Sequence, residues 1–358
     1  NDNFSFMIKV IRKAEKLKEA KIRLIVSGDF SQLPPVVKKT EVSIMKKFGF
    51  DTSGYAFTTQ EWKSCNFKVI ELTDVKRQDD QDFISELNKI RIGDCRDLLY
   101  WEQFVNPDPN YDDAIVICGT NAEAERINTA YLDSLPGDLK VLKSKKEGFC
   151  SVGYIDDIIL VKEGCQVIFT VNDTIHKSYH NGTFGIIKYV GTDNVIVTIS
   201  GKDVSVKPHA FPIYSYTCKG NVLTKKELAT IYQYPFKLGK AITIHKSQGQ
   251  TFDKMVLSPE IFAPGQLYVA LSRVRGPEGL VLLRSLEPSF LIIDDTVKKF
   301  YKNGYTWDVK KRVTAAKKPV VKTVKKTVKK TTRKTGSKKT VTKKPSAKKT
   351  STTRKTGA

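Results

Sequence analysis

Three short, largely apolar runs constrain this chain more than anything else in it. They are residues 22–26 (IRLIV), stopped by Ser27-Gly28; residues 114–118 (AIVIC), stopped by Gly119-Thr120; and residues 241–244 (AITI), stopped by His245-Lys246. A run of this length without alternation is the pattern of a strand buried on both faces, which means a parallel sheet with helices on each side. Helical patterns lie between the runs. Residues 3–20 repeat Phe6, Val10, Ala14 and Leu17 at helical spacing; residues 80–92 repeat Phe83, Leu87 and Ile90 and end at Gly93; Thr120-Asn121 caps a helix running to about Leu132. Residues 70–72 and 280–283 read as further strands. Strand then helix, repeated, predicts an α/β fold with parallel sheets.

Between about 164 and 212 the period changes from helical to two. Alternating runs at 166–171, 183–190, 195–200 and 203–207 are separated by Asn-Gly and Gly-rich turns. This predicts a small antiparallel barrel or sheet inserted into the α/β body. After Asp308, the last acidic residue, T-V-K-K and T-x-x-K-K repeats take over. Residues 309–358 hold 20 of the 61 Lys and Arg and none of the 38 Asp and Glu, leaving 41 and 38 for the rest of the chain. The net charge of +23 therefore belongs almost wholly to a tail whose composition predicts disorder. The body must bind any nucleic acid through local patches, not bulk charge.

Several classes drop out. No run of about 18 apolar residues supports a membrane span, and the N-terminal stretch lacks a signal-peptide layout. Six cysteines (Cys65, Cys95, Cys118, Cys150, Cys165 and Cys218) form no C-x-x-C pair, so they read as reduced thiols and not as a zinc site or disulfide framework.

Four segments carry chemistry. Residues 24–36 (LIVSGDFSQLPPV) end a strand at Gly28-Asp29 and present Gln32, an amide that both donates and accepts, before a rigid Pro34-Pro35 turn. Residues 72–78 (LTDVKRQ) place Arg77 between a strand and a helix; a guanidinium suits phosphate because it is planar, forked and always charged. Residues 241–251 (AITIHKSQGQT) run from a strand into His245, Lys246, Ser247, Gln248 and Gln250, with Gly249 allowing close backbone approach. Residues 265–274 (GQLYVALSRV) form a helix with Leu267, Leu271 and Val274 on one face and Arg273 near its end, where a cation can stabilise a phosphoryl group in transfer. Each signal alone is compatible with an ordinary surface loop or a structural side chain.

Their order and spacing are more specific. GDFSQLPPV, VKRQ, IRIGD, ICGTNAEAERIN, NGTFG, TIHKSQGQTFD and YVALSR, in this sequence, resemble the petite-integration-frequency DNA helicases, relatives of RecD in superfamily one. The resemblance spans about residues 2–283. It implies an α/β fold of two RecA-like (P-loop NTPase) domains with parallel sheets, a small SH3-like β insertion and a disordered basic tail. The boundaries expected are 1–112 for part of the first RecA-like domain, 113–165 with 234–308 for the second, 166–233 for the insertion (with His180-Asn181-Gly182 at one of its turns), and 309–358 for the tail.

The resemblance further implies an ATP-dependent DNA helicase, moving 5′→3′, that uses ATP and Mg2+ on single-stranded and forked DNA in repair, recombination or replication. Gln32, Arg77 and Arg273 would be catalytic. Gly28, Asp29, Gln32, Arg77, Gln248, Gly249 and Arg273 would bind the cofactor, and Thr243, His245, Lys246 and Ser247 the DNA. No metal ligand is assigned within the chain. Yet the 358 residues contain no G-x-x-x-x-G-K-[ST] loop and no initiator Met. The expectation is a piece of a longer protein, beginning after the acidic pair that helps hold magnesium, with negligible ATPase activity by itself. Two other readings stay open: a catalytically inactive DNA-binding module with a histone-like tail, and a relaxase-linked helicase of the RecD type. The tail is expected to grip nucleic acid non-specifically in a nuclear or viral-replication setting.

Overall fold

The computed structural model describes residues 2–47, 52–94, 98–109, 114–149, 155–219 and 222–305. The tail 309–358, Cys95 and Cys150 lie outside the described residues, as does the side chain of Cys218.

A four-stranded sheet forms where the apolar runs predict one. Its order is Ala241–Thr243, Ile115–Cys118, Met255–Leu257 and Leu280–Leu282, every pair parallel. Alternate residues of the central strand serve two cores. Ile115 and Ile117 point to one face, packing with Met255, Leu257, Phe83 and the helix Gln266–Leu271. Val116 and Cys118 point to the other, with Ala124 of the helix Asn121–Ser134. Burial on both faces is why these strands show no alternation in sequence. Asn128 on that helix secures the edge strand: its amide donates to Ala241 O (2.9 Å) and its carbonyl accepts from Ala241 N (2.8 Å). The strand Met255–Leu257 is not among the apolar runs that predict the sheet.

Caps sit where the sequence places them. Asp80 accepts from Phe83 N (2.7 Å) and Gly93 closes the helix Gln81–Ile92 in the left-handed region. Thr120 Oγ1 accepts from Glu123 N (3.2 Å).

The inserted β region is a five-stranded antiparallel sheet in the order Phe236–Leu238, Gln166–Phe169, Phe184–Val190, Val195–Ile199, Lys202–Val206. Beyond it stands a long hairpin, His209–Lys219 with Val222–Gln233, flanked by Lys145–Gly148. The hairpin was not anticipated: its mixture of Thr, Lys and Tyr lacks a clean period of two.

Three expectations fail in the N-terminal third. Residues 22–26 and 70–72 form no strand; Ile25 is 83% and Leu72 87% exposed. A strand exists only through its ladder, and among the described residues nothing pairs with either segment. The first helix, Asp2–Lys18, exists, but Phe6, Val10 and Leu17 face solvent. Its packed side is instead Phe4, Ser5 and Ile8, with Phe4 against Trp62 (5.5 Å between rings) and Ser5 bonded to Glu61 (2.8 Å). This third is held by an aromatic cluster, Tyr55, Phe57 and Phe300 with Phe30 and Trp62, which the C-terminal helix Asp295–Lys302 completes.

Cys118 and Cys165 are buried, and burial pushes their thiols up to about 12 and about 11, so both are inert at neutral pH. Among the described residues no helix is long and apolar enough to cross a membrane.

The two kinds of apolar run predict opposite responses. Ile117→Ala, in the double-sided core, should cost on the order of 2–5 kcal/mol in urea unfolding of the 358-residue chain. Ile25→Ser should change it by less than about 0.5 kcal/mol; a large loss at Ile25 would show that residues 22–26 are packed after all.

Candidate active site

The four chemistry-bearing segments, scattered over 250 residues of sequence, meet at one place. The turn at 29–32 is closed by Gln32 N donating to Asp29 O (3.3 Å) and Ser31 N donating to Asp29 Oδ1 (3.0 Å). It lies directly on Gly265, the N-cap of the helix Gln266–Leu271. A Cβ at Gly265 would stand 2.4 Å from Ser31 O and 2.6 Å from Gln32 O, and its φ is +71°, so only glycine fits. From this turn Gln32 Oε1 accepts from Gln248 Nε2 at 3.1 Å, across 216 residues of sequence. Arg77 Nε donates to Thr251 Oγ1 (2.9 Å) and its Nη1 to Ser272 O (3.0 Å). Beside it the buried Gln78 amide donates to Ser272 O (3.2 Å) and Val274 O (2.8 Å). A cavity of about 210 Å³ opens here, lined in part by Arg77, Gln78, Asn88, Tyr268 and Ser272.

Arg273, just after the helix Gln266–Leu271, is only 2% exposed. Its guanidinium donates to Val269 O (2.7 Å), Gln250 O (3.3 Å) and Ser272 Oγ (2.7 Å), all neutral acceptors. Among the described residues no carboxylate pairs with it or with Arg77. Burial, and then the nearby charge of Arg77, pull it from the ordinary 12.5 down to about 10. The sign is clear. The folded state disfavours this proton, so at neutral pH the charge is held at a cost that would be relieved only above about pH 10. Buried cations are normally paired with an anion. Two guanidiniums sharing a site without one make a receptor for an anion, and forked donors suit phosphate.

The remaining candidates divide. Asp29 is not free to meet a ligand: Arg91 Nη2 (3.2 Å) and Nε (3.3 Å) donate to its carboxylate, as does Tyr301 Oη (3.1 Å). Gly28 and Gly249 face open space. Thr243 and Ser247 point inward, where Thr243 Oγ1 caps the one-turn helix Ile244–Ser247 by accepting from Lys246 N (3.4 Å) and Ser247 Oγ donates to Ile244 O (2.8 Å). Their contribution is to shape the loop. His245, Lys246 and Gln248 are the exposed donors. The His180-Asn181-Gly182 turn reaches the same loop: a Cβ at Gly182 would meet Gln250 Nε2 at 2.6 Å. Gln78, Arg91, Thr251, Tyr268 and Tyr301 were not singled out from sequence. Gln78 and Arg91 sit inside quoted motifs, whereas nothing in the sequence marks Tyr301.

The donor set fits the phosphates of ATP. It does not fit Mg2+, which needs oxygen ligands: Asp29 is committed to Arg91, and among the described residues no three His, Cys, Asp or Glu cluster.

No family model matches the chain. It is 33% identical to the ATP-dependent DNA helicase Pif1 of Campylobacter jejuni over 320 residues, covering 80% of this chain and 70% of that protein. It is 32% identical to the ATP-dependent DNA helicase PIF1 of Xenopus laevis, covering 78% of this chain and 44% of that one. Among solved structures it resembles Bacteroides Pif1 bound to ssDNA (TM-score 0.70, 30% identity, 83% of this chain and 71% of that one). It also resembles Pif1 helicase from Candida albicans (TM-score 0.68, 28% identity, 84% and 74%).

If the arginine pair receives phosphate, pyrophosphate should stabilise the 358-residue chain against thermal unfolding more than chloride at equal ionic strength. The gain is about 1.4 kcal/mol at ten times its Kd. Arg77→Gln with Arg273→Gln should remove it. An equal response in the double variant would place the anion elsewhere.

Proposed function

The chain belongs to the Pif1 family of DNA helicases, and from that premise we propose that it forms the phosphate-sensing and DNA-gripping part of an ATP-dependent DNA helicase. The observation that carries this reading is Arg273, a buried guanidinium with no acidic partner among the described residues, lying beside Arg77 just after the helix Gln266–Leu271. ATP, when bound, supplies a terminal phosphoryl group whose transfer to water releases the energy for movement. Arg273 and Arg77 neutralise charge on that group, and Gln32, held by Gln248, senses it. No step is assigned to Mg2+ through these residues.

The segment 243–251 has two jobs within a few residues. His245 and Lys246 offer exposed donors to the DNA backbone, while Gln248 holds Gln32, Gln250 O accepts from Arg273, and Thr251 accepts from Arg77. One short rigid piece thus touches both ligands, which is the minimum a motor needs to convert phosphate chemistry into a change of grip on DNA. The substrates proposed are single-stranded and forked DNA, with 5′→3′ movement and a role in repair, recombination or replication. Likeness to structures described as bound to ssDNA and as unwinding forked dsDNA supports the substrates. Residues 1–112 are read as part of one RecA-like lobe, 113–165 with 234–308 as the other, and 166–233 as the SH3-like insertion between them. The tail 309–358, with its 20 cations, is read as a non-specific phosphate tether in a nuclear or viral-replication setting.

The 358 residues contain no loop of backbone N–H groups and lysine to cradle the phosphates, so this polypeptide by itself should turn over no ATP, with or without DNA. DNA-stimulated turnover that Arg273→Ala abolishes would overturn that. Binding of a single-stranded oligonucleotide, followed by fluorescence anisotropy over a salt series, separates the two grips. Lys246→Ala should flatten the log–log slope by about 0.7, one phosphate contact's worth on single strands. Deleting 310–358 should lower affinity and flatten the slope further. If neither change alters the slope, the chain holds DNA by another surface.

A further inference from the structure

Among the described residues the Gln32 side chain hydrogen-bonds to Gln248, and its backbone belongs to a turn with no regular secondary structure around it. One of the residues that hold that turn in place, Tyr301, lies outside every motif. Tyr301, on the C-terminal helix Asp295–Lys302, works in both directions: its hydroxyl accepts from Phe30 N (3.0 Å) and donates to Asp29 Oδ1 (3.1 Å). Asp29 in turn is forked by Arg91, and Arg91 lies over the Tyr301 ring (5.7 Å). Burial pulls the Arg91 guanidinium down, but its bond and charge pairing with Asp29 outweigh that and leave it raised. The same turn is plugged from below by Phe30, whose ring meets Phe57 (4.8 Å) and Phe300 (5.6 Å) edge-on. On its other side it rests on Gly265.

We propose that Tyr301 is a positioning residue for Gln32: the helix Asp295–Lys302 is a strut that, through Tyr301, Asp29 and Arg91, fixes the 29–32 turn so that Gln32 reaches Gln248. Three elements far apart in sequence converge on four residues. The turn supplies the carboxylate, the helix Gln81–Ile92 supplies the cation, and the C-terminal helix supplies a hydroxyl able to serve a carboxylate and a backbone N–H at once. Besides its contact with Phe30, the strut has supports outside the turn. Asp294 caps it by accepting from Thr296 N (2.7 Å), Tyr55 Oη bonds Asp294 (3.2 Å), and Val297 and Phe300 are buried in the aromatic cluster. A phenylalanine at 301 would keep the ring and remove only the two bonds to the turn. The functional meaning of the strut rests on Gln32 facing phosphate; its geometry does not.

The test uses the 358-residue chain with Tyr301→Phe, and Asp29→Asn as a second variant should the first fold poorly. Hydrogen exchange followed by mass spectrometry should show the peptide over 28–33 exchanging about ten-fold faster, because Phe30 N–H loses its acceptor, while Ile115–Cys118 stays protected. In a background carrying Gln32→Cys and Gln248→Cys, the yield of a 32–248 cross-link by a short bismaleimide should fall about five-fold when Tyr301→Phe is added. Unchanged exchange at 28–33, or an unchanged cross-link yield, would overturn the proposal. So would a rise in exchange that includes Ile115–Cys118, since that is the mark of general support for the fold. The pyrophosphate response of the unsubstituted chain is read separately: its absence would remove the phosphate reading of Gln32 and leave both of these measurements to judge the strut.

Discussion

Burying a guanidinium costs several kcal/mol unless an anion goes with it, and at Arg273 the described residues provide only carbonyl and hydroxyl oxygens. The surrounding structure has to hold that charge in place. Two of the three acceptors, Val269 O and Ser272 Oγ, belong to the same short helix and its end, and the third, Gln250 O, to the loop after the edge strand. Arg77 then occupies a neighbouring carbonyl, Ser272 O, and raises the cost further by its own charge. A fold optimised for stability alone would place a carboxylate here, as it does at Asp29–Arg91. Among the described residues the two arginine sites thus differ: one is neutralised by a carboxylate and the other is left open.

Asp29 and Gln32, three residues apart, likewise play different parts. Asp29 spends its carboxylate on Arg91, Tyr301 and Ser31 N, and so fixes a turn. Gln32 is left with a single neutral partner, Gln248, that can be exchanged for another acceptor or donor at little cost, since the net worth of one such bond is about 1 kcal/mol. A rigid base under an easily switched amide is what sensing requires. If the base moved as readily as the amide, a change at Gln32 would be absorbed locally and never reach the 243–251 segment. Gly265 gives the base its second support by letting the turn's carbonyls approach closer than any side chain would allow.

The sequence was informative where local pattern and burial coincide. Residues 115–118 and 241–243 are largely apolar because both faces are covered, and the strands appeared where read. Asp80, Gly93 and Thr120 announced their caps through short-range chemistry. The same pattern misled at 22–26 and 70–72, because apolar content states a wish for burial and cannot state whether a partner strand is present to satisfy it. Burial of Arg273 was illegible for the opposite reason: a charged residue near a helix end reads as surface, and only the three-dimensional crowd of carbonyls around it reverses that. The pairing of Gln32 with Gln248 spans 216 residues and follows from no local rule. Within the candidate site, motif order gave the participants, but not which of them face a ligand and which, like Thr243 and Ser247, brace the loop from inside.

The position of the strut has a mechanical consequence. The helix Asp295–Lys302 follows the last strand of the parallel sheet, Leu280–Leu282, yet packs on Phe30, Tyr55 and Phe57 from the opposite end of the chain. On the way Phe290 is buried with the sheet's core and Ile293 lies against Gly93, at the end of the helix that carries Arg91. The connection is therefore anchored at both ends and along its length. Any motion that separates the 29–32 turn from the sheet has to break aromatic packing at one end or strain this connection at the other. Small displacements here are thereby taken up by the side chains of Gln32 and Gln248, where bonds are cheap, before they strain the backbone, where they are not.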